Sequence, residues 1–358
     1  MMLTLPELVD LGELDGQIEQ GYISVRKHPE SEALVIYNYS KKAGYERAWN
    51  PTVRNCRGLI VDHVTDEVKA RPWPKFFNYE EPGADTIKEW EKVAVQDKLD
   101  GSLGIIYTAP DGLPAVATRG SFTSDQALWA TDFLRSKAPE WRPNPLMTYL
   151  VEIVYPDNRI VVDYGDREDL VLLDAYHTNH LEQSPDPLGK AKAYHYWPFG
   201  QADLLGFMTF NEFMANLPNF QRENAEGVVV STRDGRRLKF KQDDYVEKHR
   251  MVTNLNPITV WRHMQDNDYR YERLLQDLPE EFQGYVQQQG DALIQTAHTM
   301  IEGARMDLKG ILKNSQDRQD RKYLASKIKD TRDPALVFAL LDNKDPMAVV
   351  WKRLRPRL

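Results

Sequence analysis

The pattern of hydrophobic and polar residues changes near residue 250. Before that point, short apolar runs rich in β-branched and aromatic residues are bounded by Gly, Pro, Asp or Asn, which is typical of β-strands separated by turns. Asp-Gly pairs at 111–112 and 234–235 each lie between two such runs and predict hairpin turns. The predicted strands span 33–39, 57–62, 102–108, 115–120, 148–155, 159–165, 169–176, 226–232 and 237–242.

Helical signals are rare before residue 250 and dominate after it. One predicted helix, 124–138, begins at Ser124 or Asp125 as the N-cap. Between Phe282 and Ile311 apolar residues recur three, four or seven positions apart, and the Asp-Pro pairs at 333–334 and 345–346 are typical helix starts. We therefore predict an α+β fold, with an antiparallel-sheet domain over residues 1–250 and an all-α domain over residues 251–358.

Composition narrows the class of protein. The chain has 358 residues, of which 41% are hydrophobic and 28% charged, enough for two packed domains. A single cysteine, Cys56, excludes a disulfide framework and a thiolate zinc site and favours a reducing compartment. No apolar run approaches the roughly 20 residues of a membrane helix, and the N-terminal segment lacks a signal-peptide pattern. We expect a cytoplasmic, monomeric protein that does not bind membranes.

The charge distribution is uneven. The net charge of −8 argues against a protein that coats nucleic acid by bulk attraction. Residues 305–358, however, contain 14 Lys and Arg against 7 Asp, so this tail carries +7 and the remainder −15. The tail, which ends with Arg353, Arg355 and Arg357, fits a module that binds RNA phosphates, and it fits equally well a solvated helical surface.

The segment Lys98-Leu99-Asp100-Gly101-Ser102 is the strongest chemical signal. A lysine followed by x-Asp-Gly is the nucleophile motif of enzymes that attach a nucleotide to a lysine amine. Alone it is weak, because a hairpin with a surface lysine has the same sequence. A second cluster, His177 and His180, lacks a nearby third ligand for a metal and is better interpreted as a solvated loop.

Other residues strengthen the motif by their order along the chain. Glu152 lies in an apolar strand, where a carboxylate is costly without a cationic partner. Glu226 opens another apolar run, and Lys239 and Lys241 share one face of a strand, where a polyphosphate would relieve their repulsion. Two lysines alone are more often found on an edge strand, with their ammonium groups in solvent. Together these residues supply a reactive amine, two acids facing a metal or a sugar, and a phosphate clamp.

At this point the sequence resembles a known family. The segments 98–102 (KLDGS), 150–154 (LVEIV), 226–230 (EGVVV) and 238–242 (LKFKQ) look like motifs I, III, IV and V of the covalent ligase and capping-enzyme superfamily. More closely, residues 33–250 are similar to the RNA ligase 1 family of the T-even bacteriophages, with further matches at 71–78 (RPWPKFFN), 119–128 (RGSFTSDQAL) and 156–164 (PDNRIVVDY).

The resemblance implies roles for individual residues. Lys98 would be the adenylylated nucleophile, assisted by Glu226, Lys239 and Lys241. Mg²⁺ or Mn²⁺ would be held by Glu152 and Glu226 through water. Arg119 stands where the family has a lysine; it keeps the charge but is not a neutral exchange. Of Phe76 and Phe77, we favour Phe77 for the adenine pocket. The implied ATP contacts are Tyr37, Arg57, Lys75, Phe77, Asp100, Gly101, Arg119, Glu152 and Gly227.

The activity implied by the resemblance is ATP-dependent joining of 5′-phosphate and 3′-hydroxyl RNA ends, with cleaved tRNA as a substrate. A DNA ligase or a capping enzyme would share the lysine chemistry, but both normally carry a β-rich oligonucleotide-binding domain after motif V, where this chain has a helical pattern. A non-catalytic RNA-binding protein on a ligase scaffold is the other alternative. We predict that four aromatic residues belong to the core rather than to base-stacking surfaces: Trp129, Phe133, Trp261 and Trp351.

Overall fold

The computed structural model describes residues 2–179, 197–252, 255–277, 280–314 and 321–356. The chain divides into two compact units, Met1–Val252 and Thr253–Leu358. Within the described ranges, every helix is too short or too polar to cross a membrane. His180 and Arg357, named above as a possible metal ligand and a possible phosphate contact, lie outside the described residues.

Strands dominate the first unit. Strands β1 to β13 span Ile23–His28, Ser31–Tyr39, Arg57–Asp62, Glu67–Ala70, Phe77–Asn78, Lys92–Lys98, Ser102–Thr108, Pro114–Thr118, Met147–Val154, Asp169–His177, Leu204–Thr209, Gly227–Thr232 and Arg237–Lys241. Helices α1 to α7 span Leu5–Leu8, Leu11–Glu19, Lys41–Tyr45, Pro51–Asn55, Asp125–Lys137, Phe210–Ala215 and Asp243–Val252.

The strands form three sheets. Their orders are β1-β2-β3-β4, β10-β9-β7-β8 and β11-β6-β12-β13-β5. Every pairing is antiparallel except the short one between β5 and β13. The predicted α+β class with antiparallel sheets is therefore confirmed.

Apolar and polar residues alternate along several strands, so the apolar side chains form the core and one face of the third sheet carries charged side chains. Ile36 and Ile60 of the first sheet pack with Ile105 and Leu150 of the second. On β13, Leu238 and Phe240 pack into the core on one face of the third sheet. Because alternate residues of a strand point to opposite faces, the other face of this strand carries Arg237, Lys239 and Lys241.

The local turn and cap predictions are confirmed. Gly112 and Gly235 have φ angles of 79° and 86°, as the two Asp-Gly turns require. The Ser124 hydroxyl accepts a hydrogen bond of 3.3 Å from the backbone N–H of Ala127 at the start of α5.

The strand predicted at 159–165 is wrong, because this segment is irregular. The backbone N–H groups of Val161 and Val162 donate to the Asp100 carboxylate, each at 2.8 Å, instead of to a neighbouring strand. Five strands were missed by the sequence pattern: β1, β4, β5, β6 and β11.

The second unit is helical in its described residues. Trp261 and Trp351 each donate their indole N–H to the backbone carbonyl of the other, at 2.9 and 3.2 Å, and both are buried. Asp333 and Asp345 are N-caps, as predicted. Helices α8 to α13 span Pro257–Asp266, Glu272–Asp277, Glu280–Asn314, Arg321–Ile328, Pro334–Leu341 and Pro346–Arg353.

Candidate active site

Three neighbouring strands bring Lys98, Glu226 and Lys241 together. Gly227, the first residue of β12, lies opposite Lys98 on one side and Lys241 on the other. Glu226 directly precedes it, so its carboxylate reaches both lysines. Lys98 Nζ lies 2.5 Å from Glu226 Oε2, and Lys241 Nζ lies 2.9 Å from Oε1. One carboxylate thus holds two ammonium groups at the end of the sheet.

The charge of Glu226 is stabilised by these partners. Its side chain is only 4% exposed, and burial alone would raise the pKa of the carboxyl. The ammonium groups of Lys98 and Lys241 outweigh this effect and hold the pKa of Glu226 below its ordinary value. Glu226 is therefore an anion at neutral pH.

Two glycines allow the backbone to approach closely at this site. Gly227 has a φ of 149°, and a Cβ there would lie 2.0 Å from the carbonyl oxygen of Phe240. A Cβ on Gly101 would lie 2.5 Å from the carbonyl oxygen of Ile153 and 3.1 Å from Glu152 Cγ. Any other residue would force apart strands that carry the charged side chains.

Glu152 supplies the second carboxylate. It lies on β9, opposite Leu103 in β7, and interacts electrostatically with Lys98 and Glu226. Burial raises the pKa of Glu152 to about 8, although the Lys98 ammonium opposes this shift. A cation bound beside Glu152 would favour its ionised form.

The raised pKa of Glu152 predicts a pH-dependent stability. The folded protein binds more protons than the unfolded chain between the ordinary value of 4.5 and about 8, so the Glu152 contribution to stability falls as pH rises through this range. We expect Glu152→Gln to gain in melting temperature relative to the unchanged protein as pH increases, measured in EDTA. Glu168→Gln, at an exposed position, is the control and should show no such trend. A pH-independent difference for Glu152→Gln would contradict the prediction.

The carboxylates fit a metal that arrives with a nucleotide. Within the described ranges, no group of three His, Cys, Asp or Glu side chains is placed to hold an ion. Mg²⁺ at nucleotide sites is usually held by one or two carboxylates together with substrate phosphates and water. Glu152 and Glu226 meet that requirement.

A row of cations follows one face of β13. Arg237, Lys239 and Lys241 are alternate residues, so the row is about 13 Å long. The Lys239 ammonium lies 5.0 Å from the centre of the Phe76 ring, and the Arg57 guanidinium lies 5.5 Å from it. The row begins at the Lys98 cluster and would attract a chain of phosphates.

A cavity of about 360 Å³ adjoins the Arg237 end of this row. Two carboxylates, Asp85 and Asp234, also line it, and Asp85 pairs with Arg54 at 2.9 Å. The alternation of Arg237 with the two lysines is a sequence signal that could have revealed Arg237, whereas Arg54 has no such signal. Five cationic residues line this cavity: Arg54, Arg71, Lys75, Arg236 and Arg237.

Lys75 and Phe77 form a buried arrangement beside this cavity. The Lys75 ammonium lies 4.4 Å from the centre of the Phe77 ring and 5.4 Å from that of Trp49. Phe77 is only 1% exposed, and its ring lies beneath Gly83. Phe76 is also buried, and its ring is the one next to Lys239, so the assignment of Phe77 to the adenine pocket stays a prediction.

Three other predicted ATP contacts have different surroundings. The Asp100 carboxylate accepts hydrogen bonds from the N–H groups of Val161 and Val162 and from the Tyr245 hydroxyl, so it fixes the loop that follows Lys98. Tyr37 packs in the core of the first sheet. The Arg119 guanidinium lies 4.7 Å from the centre of the Tyr39 ring and donates to its hydroxyl.

A comparison with family models finds a match within the first unit. A model of the RNA ligase family matches residues 55–245, which is more than half of the chain. This chain therefore belongs to the RNA ligase family. The matched range contains the Lys98, Glu152, Glu226 and Lys241 positions described above.

Two viral proteins are similar in sequence. Uncharacterized protein ORF64 of Ostreid herpesvirus 1 is 27% identical over 244 residues, which cover 60% of this chain and 61% of that protein. A putative bifunctional polynucleotide kinase/RNA ligase of Autographa californica nuclear polyhedrosis virus is 30% identical over 130 residues, which cover 34% of this chain and 18% of that protein. The chain thus spans less than two thirds of either relative.

Solved structures of ligases are also similar. An archaeal ATP-dependent RNA ligase has a TM-score of 0.47 at 12% identity, covering 94% of this chain and 96% of that one. An RNA ligase of Naegleria gruberi, a mutant with ATP and Mn, has a TM-score of 0.36 at 19% identity, covering 45% and 53% of the two chains.

Proposed function

We propose that this chain is an ATP-dependent RNA ligase that joins 5′-phosphate and 3′-hydroxyl ends. The observation that carries the proposal is the Lys98–Glu226–Lys241 cluster. Glu152 interacts electrostatically with Lys98 and Glu226, and a row of cations extends from the cluster along β13. A lysine amine beside a row of cations fits nucleotide transfer better than the binding of RNA alone.

In the first step, Lys98 Nζ attacks the α-phosphorus of ATP. A nitrogen–phosphorus bond forms, the bond to the β-phosphate oxygen breaks, and pyrophosphate leaves while the amine loses its proton. The amine must release its proton to solvent before the attack. The cation row would hold the polyphosphate for in-line attack.

In the next two steps AMP passes to RNA and then leaves. An oxygen of the RNA 5′-phosphate attacks the phosphorus of lysyl-AMP, which frees the lysine and forms a 5′-5′ pyrophosphate. The 3′-hydroxyl oxygen then attacks the 5′-phosphorus, a phosphodiester forms, and AMP departs. Mg²⁺ held by Glu152 and Glu226 would neutralise phosphate charge.

The helical unit is the proposed RNA-binding part. Its described residues include Arg321, Lys322, Lys352 and Arg355, of which Arg321 pairs with Asp342. These cations suit contacts to RNA phosphates, which are independent of sequence. We propose cleaved tRNA as one substrate, as the family resemblance implies. The described part of this unit contains helices and no strand, which disfavours a DNA ligase or a capping enzyme.

A ligation assay tests the proposal. The protein is incubated with ATP, Mg²⁺ and a 5′-phosphorylated single-stranded RNA, and the products are separated on a denaturing gel. We expect circular or joined RNA and a transient adenylylated RNA. Protein adenylylation without any RNA product would instead indicate another acceptor. The absence of adenylylation with both Mg²⁺ and Mn²⁺ would favour a non-catalytic RNA-binding protein.

A further inference from the structure

Three aromatic rings form a parallel stack on the first unit. Trp129 lies between two partners: its ring centre is 4.9 Å from that of Phe133 and 4.2 Å from that of Tyr155, with interplanar angles of 19° and 17°. All three residues are only partly buried, and the neighbouring Leu128 is half exposed. The three rings pack against the buried core of the second sheet and keep part of their surface exposed.

Tyr155 also lines a cavity of about 130 Å³. Its wall includes Tyr155, Arg159 and Tyr164, together with the carboxylates of Asp100 and Asp163. Its volume is close to the roughly 150 Å³ that holds a benzene molecule in an engineered protein cavity. It is therefore the size of a single six-membered ring.

Polar groups at the cavity are placed to recognise such a ring. The Tyr164 hydroxyl accepts a 2.9 Å hydrogen bond from the Asp100 N–H, while its own hydrogen has no acceptor among the described residues. Arg159 pairs with Asp163 at 2.8 Å, and about half of each side chain is exposed. A carbonyl on a ring in the cavity would suit the hydroxyl donor, and a phosphate beside it would suit the arginine.

The cavity is linked to the nucleophile loop. Asp100 lies in its wall, two residues after Lys98, and receives the N–H groups of Val161 and Val162. The Ser102 hydroxyl donates to Asn158 Oδ1 at 3.1 Å. A group bound in the cavity would therefore lie next to the loop that carries Lys98.

We propose that this cavity binds one unpaired pyrimidine base of the RNA substrate, stacked on Tyr155 as the next member of the Phe133–Trp129–Tyr155 stack. RNA ends are recognised through unstacked bases that lie on aromatic side chains and donate or accept hydrogen bonds at their edges. The identity of the ligand as RNA rests on the proposed function, whereas the size and shape of the cavity do not.

Photo-crosslinking tests the proposal directly. Single-stranded 5′-phosphorylated RNAs that carry 5-iodouridine at the 5′ or at the 3′ terminal nucleotide are irradiated with the full-length protein, and crosslinked peptides are identified by mass spectrometry. We expect one of the two RNAs to crosslink at Tyr155. Crosslinks from both RNAs only at other residues would overturn the proposal.

Variants separate base binding from ATP chemistry. Tyr155→Ala should weaken RNA binding about tenfold or more, the loss expected for one base–aromatic stack, while Tyr155→Phe should keep it. Adenylylation of the protein by ATP alone should be unchanged in both, which also shows that they are folded. Arg159→Glu leaves the stack intact and should weaken RNA binding as well.

The outcomes distinguish this inference from the proposed function. Loss of adenylylation in Tyr155→Ala, with Arg159→Glu adenylylated normally, would mean that the cavity serves ATP rather than RNA and would overturn the inference. Unchanged RNA binding in Tyr155→Ala would overturn it too. A protein that is never adenylylated but still crosslinks at Tyr155 would refute the ligase mechanism and keep the base-binding cavity.

Discussion

Lys98→Ala should abolish the transfer of AMP from ATP to the protein. The amine is the only atom of this side chain that can form the nitrogen–phosphorus bond, and Glu226 holds it at 2.5 Å at the end of β6. No rearrangement of a neighbouring side chain would restore it, because Lys241 is fixed to the other oxygen of the same carboxylate. The measurement is the incorporation of label from α-labelled ATP, with the modified peptide identified by mass spectrometry.

Lys92→Ala is the matched control for this experiment. Lys92 begins the same strand, but its side chain is 74% exposed and its only salt bridge in the described residues, to Glu212, spans 3.9 Å. We expect normal labelling of this variant. Labelling of Lys98→Ala at the level of the control would remove Lys98 from its proposed role, and with it the first step of the mechanism. Loss in both variants would indicate misfolding, which a melting curve would detect.

Glu226→Gln should reduce adenylylation about a hundredfold or more, the scale of losing one preorganised charged group. The amide cannot neutralise the Lys98 and Lys241 ammonium groups, so the two cations would repel each other and move apart. The change also leaves buried positive charge without its partner, which typically costs about 3–5 kcal/mol of stability. Both the labelling rate and the melting temperature are therefore expected to fall.

Glu223→Gln controls for loss of charge in the same loop. Glu223 is exposed and lies three residues before Glu226, so its amide variant should retain activity and stability. Since Glu226→Gln affects stability, the labelling rate is compared per folded molecule at a temperature well below both melting transitions. A variant that is less stable but labelled at the normal rate would contradict a role for Glu226 in nucleotide transfer and leave it a structural one.

Much of the site could be predicted because its signals are local. Lys239 and Lys241 share a face by strand alternation, and Gly227 needs a backbone conformation that other residues rarely adopt. Ser124, Asp333 and Asp345 cap helices through hydrogen bonds to residues two or three positions away. Such features depend on the spacing of a few neighbouring residues, which the sequence displays directly.

Other features were decided by distant partners. Residues 159–165 have the composition of a strand. The N–H groups of Val161 and Val162, however, donate hydrogen bonds to Asp100, about sixty positions earlier, instead of to a neighbouring strand. Phe76 and Phe77 are adjacent and chemically identical, and only the packing of β5 against β13 decides which ring lies near Lys239.

The sequence by itself therefore determined eight of the thirteen strands described, the turns and the order of the charged motifs. The tertiary structure decided which of the predicted residues meet, because the pairing of β6, β12 and β13 sets Lys98, Glu226 and Lys241 within one ion cluster. It also created the cationic cavity and the Tyr155 cavity, whose walls combine residues far apart in the chain. Hydrogen bonds and close packing between such residues depend on the folded arrangement, so no local sequence pattern predicts them.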